Sequence, residues 1–329
     1  ELPAAGHSSP VVWGERIFLT GGATGGTNSD ASPPDTGTRS ANPETASDSE
    51  SVERHLICLS AATGDLLWNR IVHVGPAESL HKMNGWASPS CATDSKHVFA
   101  FFGPGGLHGY DHDGNPIWSR QLAELPGRWG FGASPILIDD LVIQNGDAEG
   151  DSFLYAFDQI TGHEVWRTRR QSKPRGGWST PIVIESSGRR EIVLNGEDGV
   201  HAYDPQSGKL LWWCKSFNGR GTPTPVWGHG LLYLVNGKSG DVYAVEPGGH
   251  GDVTESRMRW HTDRRGGRDL PSPVLVDNCL VVINMSGIVT SYDARSGEEQ
   301  WKHRLGGNYT GSPVVADGLV YALAEDGEV

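Results

Sequence analysis

A chain of 329 residues with 40 acidic and 27 basic side chains carries a formal net charge of −13, which argues against wholesale attraction to nucleic acid or to anionic lipid. No run in it approaches the roughly 18 consecutive apolar residues that a membrane-spanning helix needs. Its 45 glycines and 20 prolines lack the triplet period of collagen and suit a chain of many turns.

Glu1 to Pro3 reads as the tail of a strand. Ser9-Pro10 then opens a unit that recurs along the chain. Each unit has Ser or Thr, then Pro, an aliphatic run, a turn, a second apolar run, a loop, and a hairpin ending on Trp. In the first unit the pattern is interrupted, because Thr24 to Ser51 holds no Ile, Leu, Val, Phe, Tyr or Trp. Such a segment cannot offset its ordering entropy, and a disordered loop between the second and third strands is expected over 24–51. The unit resumes at Ile57 and closes on Trp68. Pro76 to Gly85 lengthens the next link, where Ala77 to Met83 carries a weak helical period.

The hairpin returns at Gly109–Trp118 with Asp111 and Gly114, and at Leu154–Trp166 with Asp158 and Gly162. His201–Trp212 repeats it with Asp204 and Gly208, and Thr290–Trp301 with Asp293 and Gly297. The apolar and aromatic run suits a pleated surface, the Asp can bond its own backbone, and the Gly is free to take positive φ. Pro247–Arg257 stretches the hairpin of the fifth unit, and Ser312–Leu323 supplies two strands of a seventh.

The Ser/Thr-Pro markers stand at Ser9, Ser88, Ser134, Thr180, Thr224, Ser272 and Ser312, spaced by 79, 46, 46, 44, 48 and 40 residues. A period of roughly 40 to 50 residues built from short strands and turns is the signature of a β-propeller with four-stranded blades. A lone hairpin cannot bury a core, so blades must stack face to face, with the recurring Trp packed between them. The expected architecture is one all-β propeller domain over residues 1–329, six complete blades and a partial seventh, from a ring truncated at its ends.

Propeller topology opens the inter-blade links and the second-to-third strand loops on one face. The links place Lys82, Arg128, Arg175, Arg220, Arg265 and Arg268 just before successive innermost strands, interleaved with Trp86, Trp129 and Trp178. Asn145 and Asn195 open on the same face. Guanidinium forks grip carboxylates and indole faces stack on flat or sugar-like groups, so these residues predict a basic, aromatic channel mouth for an anionic or carbohydrate-like ligand or a protein partner. The competing structural reading pairs the cations with Asp147, Glu149, Glu197, Asp198 and Asp269, and gives the Asn side chains to turns. His7, His81 and His108 fall near this face without a second ligand at metal spacing. Cys58, Cys91, Cys214 and Cys279 form no Cys-x-x-Cys pair and are expected free and mostly packed, with no metal site.

The Ala-x-Asp-x-x-Thr-Gly-x-x-x-Trp pattern at Ala156–Trp166, repeated with Ser207 at Ala202–Trp212, resembles the tryptophan-docking repeat of pyrroloquinoline quinone (PQQ)-type propellers. That resemblance implies a periplasmic or secreted protein, with eight blades common in the superfamily. It embraces PQQ- and calcium-dependent alcohol and glucose dehydrogenases as well as cofactor-free scaffolds such as the BamB lipoprotein of the outer-membrane assembly machine. In a dehydrogenase, Arg128, Arg175 and Arg220 would face the quinone carboxylates, leaving Asp147, Glu197 or Asp269 for metal or base. Many such enzymes have a disulfide between adjacent cysteines over the quinone, which this chain lacks, and no calcium set carries over residue by residue. The expectation is a non-catalytic, extracytoplasmic, monomeric scaffold without cofactor, with the quinoprotein dehydrogenase as the alternative.

Overall fold

Short apolar runs separated by Asp- and Gly-bearing turns fold, in the computed structural model, as antiparallel meanders. The structure describes residues 1–24, 51–78, 80–81, 83–122, 125–127, 129–170, 176–215, 221–238, 240–263 and 270–329. They form two compact units, Glu1–Phe131 and Gly132–Val329.

The first unit holds two sheets of four strands, each paired in sequence order. One comprises β1 (Val11–Trp13), β2 (Arg16–Thr24), β3 (Ser51–Ser60) and β4 (Leu66–Pro76), and the other β5 (Ala92–Thr93), β6 (His97–Phe101), β7 (Leu107–Asp111) and β8 (Pro116–Arg120). Thr24 pairs with Val52 and Ser51 with Pro76, so the two end residues assigned to the inserted loop are strand residues. The rest of that loop, 25–50, lies outside the described residues. Glu1 to Pro3 forms no strand; Ala5 makes an isolated bridge to Gly22. The described residues between Ala77 and Met83 hold no helix.

The second unit begins with β9 (Ile136–Ile138), β10 (Leu141–Gly146), β11 (Phe153–Asp158) and β12 (Glu164–Arg169). A second meander runs β13 (Ile182–Ser186), β14 (Arg189–Gly196), β15 (Gly199–Tyr203) and β16 (Leu210–Lys215). The next sheet has β17 (Val226–Gly228), β18 (Leu231–Val235) and β19 (Val242–Val245), after which the stretched hairpin adds β20 (Gly251–Asp252) and α1 (Thr254–Arg257) before β21 (Met258–His261) completes it. Then come β22 (Val274–Val276), β23 (Cys279–Ile283), β24 (Ile288–Asp293) and β25 (Glu299–Arg304), and a two-stranded sheet of β26 (Val314–Ala316) and β27 (Leu319–Tyr321).

Apolar cores lie between consecutive sheets. Phe18, Leu56 and Cys58 of the first sheet pack on Val98, Ala100 and Tyr110 of the second. In the second unit Ile143, Leu154 and Ala156 meet Ile192, Leu194 and Tyr203, and Val193, Trp212 and Cys214 meet Leu232, Leu234 and Tyr243. Burial pushes the thiol of Cys58 up to about 11 and those of Cys91 and Cys214 up to about 12. All four cysteines are unpaired.

The repeated residues earn their recurrence by bonding from sheet to sheet. Trp68 donates its indole N–H to the His112 carbonyl at 2.9 Å, Trp166 to Pro205 at 3.0 Å, and Trp260 to Ala294 at 3.0 Å. Each acceptor is the residue after the turn Asp of the next hairpin. The turn Gly that follows lies under the same indole: a Cβ on Gly208 would stand 2.4 Å from the Trp166 ring, and one on Gly297 2.5 Å from Trp260. Both glycines also have positive φ, 68° and 73°, so turn geometry and packing demand the same residue. The Ser/Thr-Pro marker works likewise. Thr180 Oγ1 accepts from the Ser134 N–H at 3.0 Å, Ser272 Oγ from Thr224 at 2.9 Å, and Ser312 Oγ from Ser272 at 2.9 Å.

Trp212 departs from the rule. It donates to Glu191 Oε2 at 2.8 Å within its own sheet, and the stretched hairpin lays β20 parallel to β16, Trp212 opposite Gly251.

Candidate functional site

The inter-blade links are irregular, so their polar groups need partners other than a ladder. In the first unit Asn84 supplies several. Its Nδ2 donates to the Trp129 carbonyl at 2.7 Å, and its Oδ1 accepts from the Gly85 N–H at 2.9 Å and from Ser88 Oγ. His81 packs on Trp129 with ring centroids 4.0 Å apart and planes tilted by 30°. Trp86 donates from Nε1 to the Glu78 carbonyl at 3.2 Å. Both indoles are half-buried.

Trp86 lines a cavity of about 280 Å³ within this unit, together with Leu80, Pro89, Phe102, Leu125 and Phe131. Arg54 and Glu78 complete the wall. The Arg54 side chain is 1 % exposed and bonds Glu78 through Nη2, while Nη1 donates to the Val52 carbonyl at 3.3 Å. Its Nε is buried without an acceptor. Burial lowers the Arg54 pKa against the pull of the Glu78 carboxylate.

In the second unit Asn145 and Asn195 are buried, 1 % exposed each. Asn145 Nδ2 donates to the Ser179 carbonyl at 3.1 Å and its Oδ1 accepts from the Asp147 N–H at 3.0 Å. Asn195 Nδ2 donates to the Pro223 carbonyl at 3.1 Å. These amide nitrogens tie one sheet to the link entering the next. Trp178 is half-buried beside Gly132 and Gly176.

Beneath them lies a buried ion pair. Arg170 Nε donates to Asp147 Oδ1 at 3.1 Å and Nη1 to the Tyr203 hydroxyl at 2.6 Å, both charged side chains being 1 % exposed. Burial works against the Arg170 charge, yet Asp147 and Tyr203 outweigh it and raise its pKa. Burial first, and Arg170 second, push His201 down to about 3.

Of the sequence-predicted site residues, Trp86 and Trp129 lie on two successive links that Asn84 and His81 join, Trp178 lies in the other unit, and Asn145 and Asn195 hold backbone. Lys82, Arg128, Arg175, Arg220, Arg265 and Arg268 lie outside the described residues. His108 is buried, with Nε2 2.8 Å from the Gly105 carbonyl, so it does not open on a face. Sequence reasoning missed Arg54, Glu78 and Arg170. Strand alternation is the signal for two of them: Arg54 stands in one row with the buried Val52, Leu56 and Cys58, and Arg170 follows Trp166 and Thr168 by twos.

A quinone with calcium would need carboxylate and amide oxygens open to a ligand. Asp147 has Oδ1 on Arg170, and its Oδ2 faces Gly177, where an added Cβ would come within 2.6 Å. No group of three His, Cys, Asp or Glu side chains among the described residues has metal-binding geometry. Asp147 does not fit that role, and Asp269 lies outside the described residues.

A family model described as outer membrane protein assembly factor BamB, of PQQ-like repeats, matches residues 150–266 and 238–329, more than half of the chain. The chain belongs to this family. BamB of Yersinia pestis is 23% identical over 248 residues, 70% of this chain and 60% of its own length. BamB of Escherichia coli (strain K12) is 27% identical over 206 residues, 59% of this chain and 50% of its own. The chain thus spans 50% to 60% of the length of these curated relatives. Among solved structures, BamB from Moraxella catarrhalis superposes with a TM-score of 0.63 at 19% identity, covering 84% of this chain and 79% of that one. A europium-containing methanol dehydrogenase gives 0.50 at 11% identity, covering 98% and 82%. These likenesses show the fold, a β-propeller, and nothing about chemistry.

Proposed function

We propose that this chain is a non-catalytic, extracytoplasmic scaffold that binds a protein partner through the inter-blade links of its propeller. The observation that carries the reading is the state of the links themselves. Their amides are committed to backbone, as at Asn84, Asn145 and Asn195, while Trp86, Trp129 and Trp178 remain half-buried. Rigid aromatic groups on fixed backbone are the usual anchors of protein interfaces. In this reading Lys82, Arg128, Arg175, Arg220, Arg265 and Arg268 add cationic contacts to an acidic partner surface, and no cofactor takes part. Membership of a family named for outer membrane protein assembly supports both the location and the partner.

Two arms test it on the full-length protein. With added PQQ and Ca²⁺, a dye-linked alcohol or sugar oxidation assay is expected to show no turnover; turnover would overturn the non-catalytic reading. Replacing Arg128 and Arg175 together by Ala is expected to weaken partner capture at least tenfold at an unchanged melting temperature. Unchanged capture would remove the link face from the account.

A further inference from the structure

We infer that the second unit binds one tetrahedral oxyanion, a phosphate or sulfate group, between the β13–β14 turn and the stretched hairpin that carries β20. The inference is independent of the partner-binding reading. Its place is where the repeat breaks its own rule. Trp212 gives its indole N–H to Glu191 instead of to the next hairpin, and the insertion runs alongside β16. Insertions into single repeats commonly build a binding face. A cavity of about 220 Å³ opens here, smaller than the roughly 300–1,000 Å³ of pockets that enclose drug-sized ligands. Ser186, Ser187 and Arg189 line it from the turn, and Gly248, Gly249 and His250 from the insertion.

The lining is rich in unused donors. The hydroxyls of Ser186 and Ser187 and the N–H groups of Gly248, Gly249 and His250 donate no hydrogen bond among the described residues. Arg189 directs Nε at 3.0 Å and Nη2 at 2.5 Å to Glu191 Oε1, which uses one edge of a fork that has five N–H groups. The edge toward Nη1 is unbonded, and the side chain is 38% exposed, so a ligand can reach it. The nearby carboxylates are already engaged. Glu191, buried in the wall, accepts from Arg189 on one oxygen and from Trp212 at 2.8 Å on the other. Glu246 binds Arg257 and Arg259, and Arg257 flanks the insertion, its Nε 3.1 Å from where a Cβ on Gly249 would stand. Three guanidinium groups thus meet two carboxylates, which leaves one positive charge for an anion. Gly248 and Gly249 have φ of 100° and 88°, a backbone open to glycine, and successive N–H groups in turns form anion-binding concavities. Hydroxyl, guanidinium and backbone donors together match a group with three or four oxygens better than a planar carboxylate with two.

Isothermal titration calorimetry on the full chain tests this, with inorganic phosphate, sulfate, glycerol 3-phosphate and acetate as probes in chloride at constant ionic strength. The net charge of −13 opposes every anion at long range, so saturation would report local donors. One saturable site is expected for the first three probes, with acetate at least tenfold weaker. Tighter binding of glycerol 3-phosphate than of phosphate would mark an ester as the ligand and the reverse the free anion; either supports the site. Ser187→Asp sets a carboxylate among the donors and leaves the Arg189–Glu191 pair intact. Its φ of 52° is one that Asp139, Asp277 and Asp317 already adopt. This variant is expected to weaken phosphate at least tenfold at an unchanged melting temperature. Arg189→Gln/Glu191→Gln removes both charges of the pair together, orphaning neither, and should weaken it likewise; should that variant lose its melting transition, Ser187→Asp decides. No saturable heat from phosphate or sulfate, acetate binding equal to phosphate, or unchanged phosphate binding in Ser187→Asp would overturn the inference.

Discussion

Arg54 and Arg170 are single side chains whose positions follow from strand alternation. Each occupies a step of the row that also carries core residues, and each is satisfied mainly by one carboxylate. What alternation could not supply is the partner: Glu78 stands 24 residues from Arg54 and Asp147 23 from Arg170, and neither spacing follows from local geometry. The same is true of the histidines. His108 and His201 look like surface residues by type, yet burial lowers the first to about 4 and burial with Arg170 lowers the second to about 3. Both folded values lie below the unfolded value near 6.5, so between the two the unfolded chain binds more protons. Stability is therefore full above about pH 6.5 and falls as the pH drops toward 4. The loss is roughly 2 kcal/mol per histidine at pH 5. Melting curves from pH 7.5 to 5 should show this slope in the native chain and a flatter one in His108→Gln/His201→Gln. The turn carboxylates Asp158, Asp204 and Asp293, held low by hydrogen bonds, act only below about pH 4. Parallel slopes in the two proteins would contradict the assignment.

Hairpins were the most legible elements, because turn and strand each have a local cause. Leu154–Trp166 is read from an Asp, a Gly and two apolar runs, and it folds as β11 and β12. Less legible was why the Gly and the Trp recur together. The glycine of one hairpin supports the indole of the preceding sheet, a relation between repeats that no single repeat reveals. Gly208→Ala tests it against Gly188→Ala. Both positions have positive φ, 68° and 72°, but only Gly208 lies against an indole, and nothing stands within 4 Å of a Cβ at Gly188. Gly188→Ala should cost about 1–2 kcal/mol for the left-handed backbone. Gly208→Ala should cost about 1–3 kcal/mol more for overpacking. Urea denaturation of the two variants measures the difference, and equal losses would separate the glycine from the tryptophan. The parallel strand β20 was illegible for a plain reason: two residues in a Gly-rich insertion carry no period.

Over the whole molecule, the period of the markers gave the sheets and their order, and the family match agrees with the propeller those sheets imply. The candidate site was legible in part. The indoles of the links could be found by aligning repeats, because a link precedes every innermost strand. The division of labour among polar residues could not, since Asn145 and Asn195 look identical in sequence whether they hold a ligand or a carbonyl, and only the fold brings Ser179 and Pro223 within reach. If the links, and not the blade surfaces, meet a protein partner, link residues should crosslink to it. A photo-crosslinking amino acid placed in the full-length protein in cells, at Trp129 or Trp178 and, as control, at the exposed Val165 of β12, tests this most directly. Discrete protein adducts are predicted from both link positions, diminished by Arg128→Ala/Arg175→Ala, with none from Val165. Adducts from Val165 alone, or from all three positions alike, would contradict it.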